Sequence, residues 1–275
     1  VYSIGSLITT NIHYWCADGG FLLSLNFEQV SFESIRGEVR AHVNALPGRI
    51  DSFVEEHIST SNHFLLRSDG ELAGFASIHE GGLITQFAMT PAFRHQGGSA
   101  YAQLKRMEHV RSAYVPTCDE FFLAHALDEY REVKKQAYLF KLGPTSVEPQ
   151  PFVLHPAATA DLDRIVQESG DFFDNVEQQI RAENLFVTTL DGEPVGFGVI
   201  EQSDLYDRVA SIGMFTTERF RGQGVGAATI RGLIRVTQSR GLEPIAGCWY
   251  FNHRSKKTLE RAGMHAASRL LRVEY

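Results

Sequence analysis

"RFRGQGVGAATIRGLI", Arg219–Ile234, decides the reading of this chain. Glycines stand at 222, 224 and 226, and an arginine precedes them at 221. Ile230, Leu233, Ile234 and Thr237 then recur at helical spacing, and Gly241 can end the helix. Consecutive backbone N–H groups in a glycine-rich turn form a concave anion site, and a helix N-terminus adds partial positive charge. Glycine, lacking a side chain, lets the backbone approach the anion. The stretch is therefore expected to hold a phosphate. A second stretch, "AFRHQGGSAYAQLKRM" from Ala92 to Met107, reads as a worn copy of it.

The copy extends upstream. "FLLRSDGELAGFASI" from Phe64 aligns without a gap on "FVTTLDGEPVGFGVI" from Phe186, an offset of 122 (186 − 64). Each segment reads as strand, Asp-Gly turn, strand, because Asp and Gly both tolerate the positive φ of a tight hairpin. "FRHQGGSA" from Phe93 then matches "FRGQGVGA" from Phe220 at an offset of 127 (220 − 93). Matching motifs in the same order predict two similar domains, residues 1–145 and 150–275, joined by the proline-rich "GPTSVEPQP" of 143–151. The second half reads as helix, strand, strand, strand, helix, strand, helix, strand. Its first helix is "ATADLDRIVQES" with Thr159 or Asp161 as N-cap, and its last is "NHRSKKTLERAG", ending at Gly263. The fold class is mixed α/β, with a largely antiparallel central sheet and flanking helices.

Composition narrows the setting. A 43% hydrophobic and 21% charged chain of 275 residues fits a soluble globular protein. The net charge of −7 argues against a general nucleic-acid binder. No apolar run suggests a membrane segment, and the N-terminal stretch does not read as a signal peptide. Cys16, Cys118 and Cys248 are widely spaced, which fits reduced thiols and a cytoplasmic location. Without a CxxC pair or an HExxH spacing, no metal is expected.

Three phosphate readings compete for the loop. A P-loop needs Lys followed by Ser or Thr after the last glycine, and Ala227-Ala228 stand there. A dinucleotide fingerprint is matched by Gly222, Gly224 and Ala227, with Glu243 downstream for a ribose. Its glycines should follow the strand at once, however, and "TTERFR" intervenes. The third reading is an acyl-coenzyme A loop. Arg221-x-x-Gly224-x-Gly226 resembles the pyrophosphate signature of the GNAT superfamily of N-acetyltransferases. That signature is Arg or Gln, two residues, Gly, one residue, then Gly or Ala. "IGMFTTERFRGQGVGAATIRGLIRVTQSRG" resembles the strand–loop–helix core of that family, and "NHRSKKTLERAGM", Asn252–Met264, its next helix. The likeness covers residues 150–275 well and the first half more weakly, so the whole is similar to a tandem GNAT protein with a degenerate N-terminal copy.

The resemblance implies acetyl-CoA as co-substrate and no metal. The coenzyme would lie between the strand ending at Phe215 and the strand "IAGCWY", with the backbone of Met214, Phe215 and Thr216 pairing with the pantetheine arm. N–H groups of Gly222, Gln223, Gly224, Val225, Gly226 and Ala227 would hold the pyrophosphate, with Arg221 beside it. Asn252 and Ser255 would lie near the pantetheine or thiol end, Asn252 alternatively being a plain helix N-cap. Arg254, Lys256 and Lys257 either attract the nucleotide phosphates or form an exposed basic face. The implied chemistry is direct attack of a primary amine, from a small molecule or peptide, on the thioester. Many family members place a tyrosine acid seven residues after the helix Asn, where this chain has Leu259. Tyr250 or a water would substitute as the acid, Tyr250 alternatively being a packed strand residue. Glu201, ahead of Asp204 and Asp207, is the first choice of base. In the first half Arg94-x-x-Gly97-x-Ser99 lacks the last glycine, and "ALDEYREVKKQAY", 126–138, is taken as the counterpart of Asn252–Met264 without its Asn or Gly. The first domain is expected to have lost activity or to bind coenzyme weakly, and to pack against the second to shape the acceptor site. The acidic charge favours a cationic acceptor. Monomer and homodimer remain open. A non-catalytic acyl-CoA-binding or regulatory module is the alternative, and another acyl group or a hydroxyl acceptor fits the same scaffold.

Overall fold

The structure is a computed structural model that describes residues 25–107, 109–144 and 151–275. Cys16 and most of the expected linker lie outside the described residues. Contacts divide the chain into two compact units. The first comprises residues up to Pro47, Glu56–Lys135 and Leu271–Tyr275, and the second Gly48–Glu55 and Gln136–Leu270.

The first unit runs β1 (Leu25–Val30), α1 (Phe32–Ala45), α2 (Ser52–Ser59), β2 (Asn62–Ser68), β3 (Glu71–His79) and β4 (Leu83–Met89). A 3₁₀ turn (Pro91–Gln96), α3 (Gly97–Lys105), β5 (Ser112–Pro116), α4 (Glu120–Ala126) and β6 (Glu132–Leu142) follow. Residues 52–55 of α2 and 136–142 of β6 belong to the second unit. In the second half come β7 (Phe152–Pro156), α5 (Leu162–Ser169), α6 (Val176–Arg181), β8 (Leu185–Leu190), β9 (Glu193–Gln202) and β10 (Val209–Thr216). The chain closes with a 3₁₀ turn (Glu218–Phe220), α7 (Val225–Ser239), β11 (Glu243–Trp249), α8 (His253–Arg261) and β12 (Met264–Glu274). The first unit's strands neighbour one another in the order β1-β2-β3-β4-β5, and the second unit's in the order β6-β11-β10-β9-β8-β7.

The hairpins form as the Asp-Gly pairs predict. Asp69 and Gly70 take φ +50° and +85°, and Asp191 and Gly192 take +50° and +82°. Positive φ at both central residues matches the twist of the flanking strands. On α7, Ile230, Leu233, Ile234 and Thr237 are all buried. Gly241, at φ +74°, ends this helix, and the Leu242 N–H donates to the Thr237 carbonyl at 3.1 Å. That back-bond satisfies a carbonyl the last turn would leave unpaired.

Two readings need correction. Residues 152–156 form a strand, pairing antiparallel with β8, ahead of the single helix expected to open the second half. Residues 126–138 are not the counterpart of α8. They hold the last residue of α4, a turn and the start of β6. The true counterpart is α4, whose N-cap Asp119 accepts the Phe122 N–H at 3.0 Å, as Asn252 caps α8.

One irregularity positions everything that follows. The parallel pair β10–β11 holds only at Val209↔Glu243, Ala210↔Pro244 and Ser211↔Ile245. Beyond that, β10 stays with β9 as far as Thr216↔Gly196, while β11 stays with β6 as far as Trp249↔Ala137. The strands therefore part from Ile212 and Ala246 onward. In the first unit β4 and β5 pair only at Leu83↔Ser112 and Ile84↔Ala113 and part likewise. One face of the second unit's sheet is covered by Ile230, Leu233 and Ile234 of α7 and Leu259 of α8. The other packs Phe197 and Val199 against Ile165, Val176 and Ile180.

Candidate functional site: a glycine-lined cleft beside a split sheet

At the open end of the β10–β11 split lies a cleft of about 690 Å³, lined by the end of β10, the glycine loop and the first turns of α8. Gly222 and Gly224 take φ +82° and +89°, which L-residues adopt only under strain. A Cβ on either would meet nothing within 4 Å. The backbone is therefore exposed and left-handed where a ligand can reach it. Gly224 is also the N-cap of α7, so the helix's unpaired N–H groups begin here. Gly226 serves packing instead. A Cβ there would lie 3.0 Å from Thr258 Cγ2, 3.1 Å from Met214 Sδ and 3.2 Å from Thr216 Oγ1, so its absence lets α7 sit close on β10 and α8.

Arg221 ties loop to strand. Its Nε donates to the Thr216 carbonyl at 3.3 Å, and its guanidinium stands 5.8 Å from the centre of the Phe215 ring. Arg254, Lys257 and Arg261 of α8 line the same cleft. Cations gather here although the chain carries −7 overall, so the cleft runs against the general field and favours an anionic ligand. Met214, Phe215, Thr216, Val225, Ala227, Asn252 and Ser255 also border the cleft. Gln223 turns aside, its amide donating to the Arg219 carbonyl at 3.1 Å. Asn252 Oδ1 accepts the Ser255 N–H at 3.0 Å, which makes Asn252 the N-cap of α8 as well as a lining residue. Open left-handed glycines, a helix N-terminus and a cationic rim fit a diphosphate.

The sequence model of the acetyltransferase (GNAT) domain matches residues 31–142, and that of the acetyltransferase (GNAT) family matches residues 155–264. The chain belongs to the GNAT acetyltransferase family. It carries two GNAT domains in tandem. No curated protein matches it in sequence. Among solved structures it is similar to an acetyltransferase from the GNAT family of Colwellia psychrerythraea, with a TM-score of 0.83 at 18% identity over 90% of this chain and 99% of that one. A tandem GNAT protein from the clavulanic acid biosynthesis pathway superimposes with a TM-score of 0.56 at 12% identity, over 92% and 98% of the two chains. A putative acetyltransferase of Pyrococcus horikoshii gives 0.53 at 10%, over 96% and 93%. These likenesses concern the fold.

The two GNAT domains differ at their loops. In the first, Gln96 and Gly97 take φ −92° and −55°, so the 3₁₀ turn runs straight into α3 with no left-handed glycine. His95 stands where the second domain has Gly222. Gly97 is buried, and a Cβ on it would overlap His125 and lie 2.7 Å from Phe121 Cζ. Phe121 stacks on Phe87 at 5.7 Å and meets His125 edge-on at 4.6 Å, with the Arg94 guanidinium 5.6 Å from its ring centre. Aromatic side chains thus occupy the space that is open in the second domain. Ser99, the residue that departs from the signature, donates to the Gln96 carbonyl at 2.9 Å.

The structure brings the glycine-loop residues together around the cleft but sets Glu201 and Tyr250, the expected base and acid, apart from it. Glu201 lies on β9 opposite Ser211, and its Oε2 accepts the Ser52 hydroxyl at 2.7 Å. Tyr250 stacks on Tyr138 with ring centres 4.7 Å apart and planes at 9°. A hydrogen bond within this pair, with burial adding to it, raises the Tyr138 phenol above its ordinary range. Leu259 is buried in the core. Cys248 on β11 is held neutral, since burial, opposed by Lys256, pushes its thiol from 9.0 to about 11. Sequence reasoning missed Asp51. Its carboxylate rests on Gly247 of β11, so close that a Cβ there would overlap it. Nothing in the local pattern around residue 51 marks it, because its partner lies 196 residues downstream (247 − 51).

Proposed function

We propose that the C-terminal GNAT domain transfers an acetyl group from acetyl-CoA to a primary amine of a small molecule or peptide. The contrast between the two loops carries this reading: the second is open, left-handed and cation-rimmed, while the first is closed by Phe121 and His125. Gly222–Ala227 and Arg221 would hold the pyrophosphate, and the unpaired β11-facing edge of Met214–Thr216 would take the pantetheine arm. A strand N–H near Phe215 or Thr216 would stabilise the oxyanion. An alkylamine with a pKa of about 10.4 must lose a proton before it attacks, which calls for a carboxylate or a water chain. Three widely spaced cysteines fit reduced thiols and support a cytoplasmic setting for this activity.

A second reading, a module that binds acyl-CoA without turnover, is favoured by the buried Leu259 and the stacked Tyr250, which leave the acid role without its customary residue. A free-thiol release assay with acetyl-CoA and a panel of primary amines separates the two. Amine-dependent release supports the enzyme. Tight binding without release supports the module.

A further inference from the structure

Strand alternation places Ser211, Gly213 and Phe215 on one face of β10, and the parallel register places Ile245, Gly247 and Trp249 on the same face of β11. This is the face opposite α7 and α8. Extending the register past its last pair sets Gly213 across from Gly247 where the strands have parted, so no side chain from either fills that stretch of the split.

The segment Gly48–Glu55, from the first half of the chain, packs onto this face as part of the second unit. It is pinned along its length. The Ile50 N–H donates to the Tyr206 hydroxyl at 3.3 Å, and the Ser52 N–H to Ser211 Oγ at 2.8 Å. Glu55 accepts the Ser203 hydroxyl at 2.6 Å and the Leu205 N–H at 3.1 Å. Between these anchors stands Asp51, 8% exposed. Its Oδ1 accepts the Val54 N–H at 3.2 Å, while Oδ2 lies on Gly247. Only a glycine at 247 allows that approach. A buried carboxylate costs stability unless it is compensated, so its position at the split is unlike a solvated surface charge.

We propose that Asp51 is a catalytic residue of the second domain, taking the proton from the attacking amine at the split. The inference rests on the amine-acetylation reading above. The amine arrives as an ammonium and gives one proton to the Asp51 carboxylate, which passes it to solvent. The freed lone pair forms the C–N bond at the thioester carbonyl, and the C–S bond breaks. The departing thiolate takes a second proton from nitrogen, so ammonium and thioester become amide, thiol and one released proton. The first half of the chain thereby completes the second half's site, and residues 150–275 alone lack the base.

The test uses the full chain with acetyl-CoA and putrescine, tyramine and a lysine peptide as acceptors. Asp51→Asn keeps an oxygen for the Val54 N–H and keeps the side-chain volume. Its expected effect is a fall in kcat of about 100-fold or more, with acetyl-CoA affinity unchanged. The variant's kcat/KM should rise tenfold per pH unit toward the acceptor's own pKa, while the wild type levels off earlier. The ionisable groups on elements packed around Asp51 include Arg49 and Glu55 of its own segment, Glu201 of β9, Tyr206, and Glu243 and Cys248 of β11, and the variant leaves all of them in place. Gly247→Ala is the second variant, since its methyl displaces the carboxylate without removing it. It should lose activity comparably, and the double variant should lose no more than either single one. If Asp51→Asn does not fold, Gly247→Ala decides. Wild-type turnover with undiminished variants overturns the Asp51 assignment alone. Acetyl-CoA binding without acetylation of any acceptor by the wild type overturns the amine reading, and this assignment with it.

Discussion

Gly224→Asp separates a loop that binds phosphate from a loop that merely turns. The residue sits at φ +89° as the N-cap of α7, with nothing within 4 Å of a Cβ. Left-handed backbone costs an L-residue roughly 1–2 kcal/mol, with Asp among the side chains that tolerate it best. An aspartate at a helix N-terminus returns about 0.3–1 kcal/mol through the dipole. The net change in stability is then about 1 kcal/mol or less, a shift in Tm of about 2–4 °C for a unit of this size. Binding should respond far more. A carboxylate about 4 Å from a phosphate charge, at an effective dielectric of about 20, is repelled by about 4 kcal/mol. If the side chain swings aside and halves that, about 2 kcal/mol remains, equivalent to about 30-fold in Kd. Calorimetric titration with acetyl-CoA should therefore show at least that loss, alongside a nearly unchanged melting curve. Gly224→Ala adds the strain without the charge and should lose less than about tenfold. An Asp variant that binds as tightly as wild type, or an Ala variant that loses as much as Asp, would refute the phosphate role.

Gly97→Ala in the first domain should behave in the opposite way, because its methyl collides with Phe121 and His125. We expect a stability loss of about 1–3 kcal/mol by denaturant unfolding, with acetyl-CoA affinity unaltered. Thr229→Val removes the buried hydroxyl that meets Thr188 Oγ1 at 2.7 Å and strands the Thr188 hydroxyl, so a loss of about 1–3 kcal/mol should appear in the same assay. Cys248 should resist alkylation near neutral pH and react only as the pH nears about 11, because burial keeps its thiol protonated. Its stabilising contribution is fully present below 9.0, where the unfolded thiol is also protonated, and is lost as the pH rises to about 11. Tyr275, raised by burial from 10.0 to about 12, extends the same decline, and Cys248→Ala with Tyr275→Phe should flatten it in pH-dependent melts.

The hairpins and the α7 boundary were legible because local chemistry decides them. Asp-Gly pairs need positive φ at both residues, and Gly241 ends α7 whatever packs around it. The glycine-lined cleft was legible for the same reason, since Gly222 and Gly224 shape it through their own backbone. Reading failed where the two copies drift apart. Their offset grows from 122 at the hairpin to 127 at the loop and 133 at the next helix cap (252 − 119), so a nearly constant offset placed the counterpart of α8 in the turn before β6 instead of at Asp119. Strand β7 escaped notice because a five-residue run ending in proline carries little periodicity of its own, and its pairing with β8 is what makes it a strand. Ser99 looked like the defect of the first loop, but the closure comes from Phe121 and His125 on α4, which no reading of the loop alone could reveal. Asp51 was invisible for a similar reason, because its meaning depends on a glycine in the other half of the sequence.

The most direct test of the account is the stoichiometry of acetyl-CoA on the intact chain, measured by calorimetry. One molecule should bind per chain, weakened by about 30-fold or more in Gly224→Asp and undiminished in Gly97→Ala. Two molecules per chain, or one whose affinity Gly224→Asp leaves unchanged, would contradict this reading.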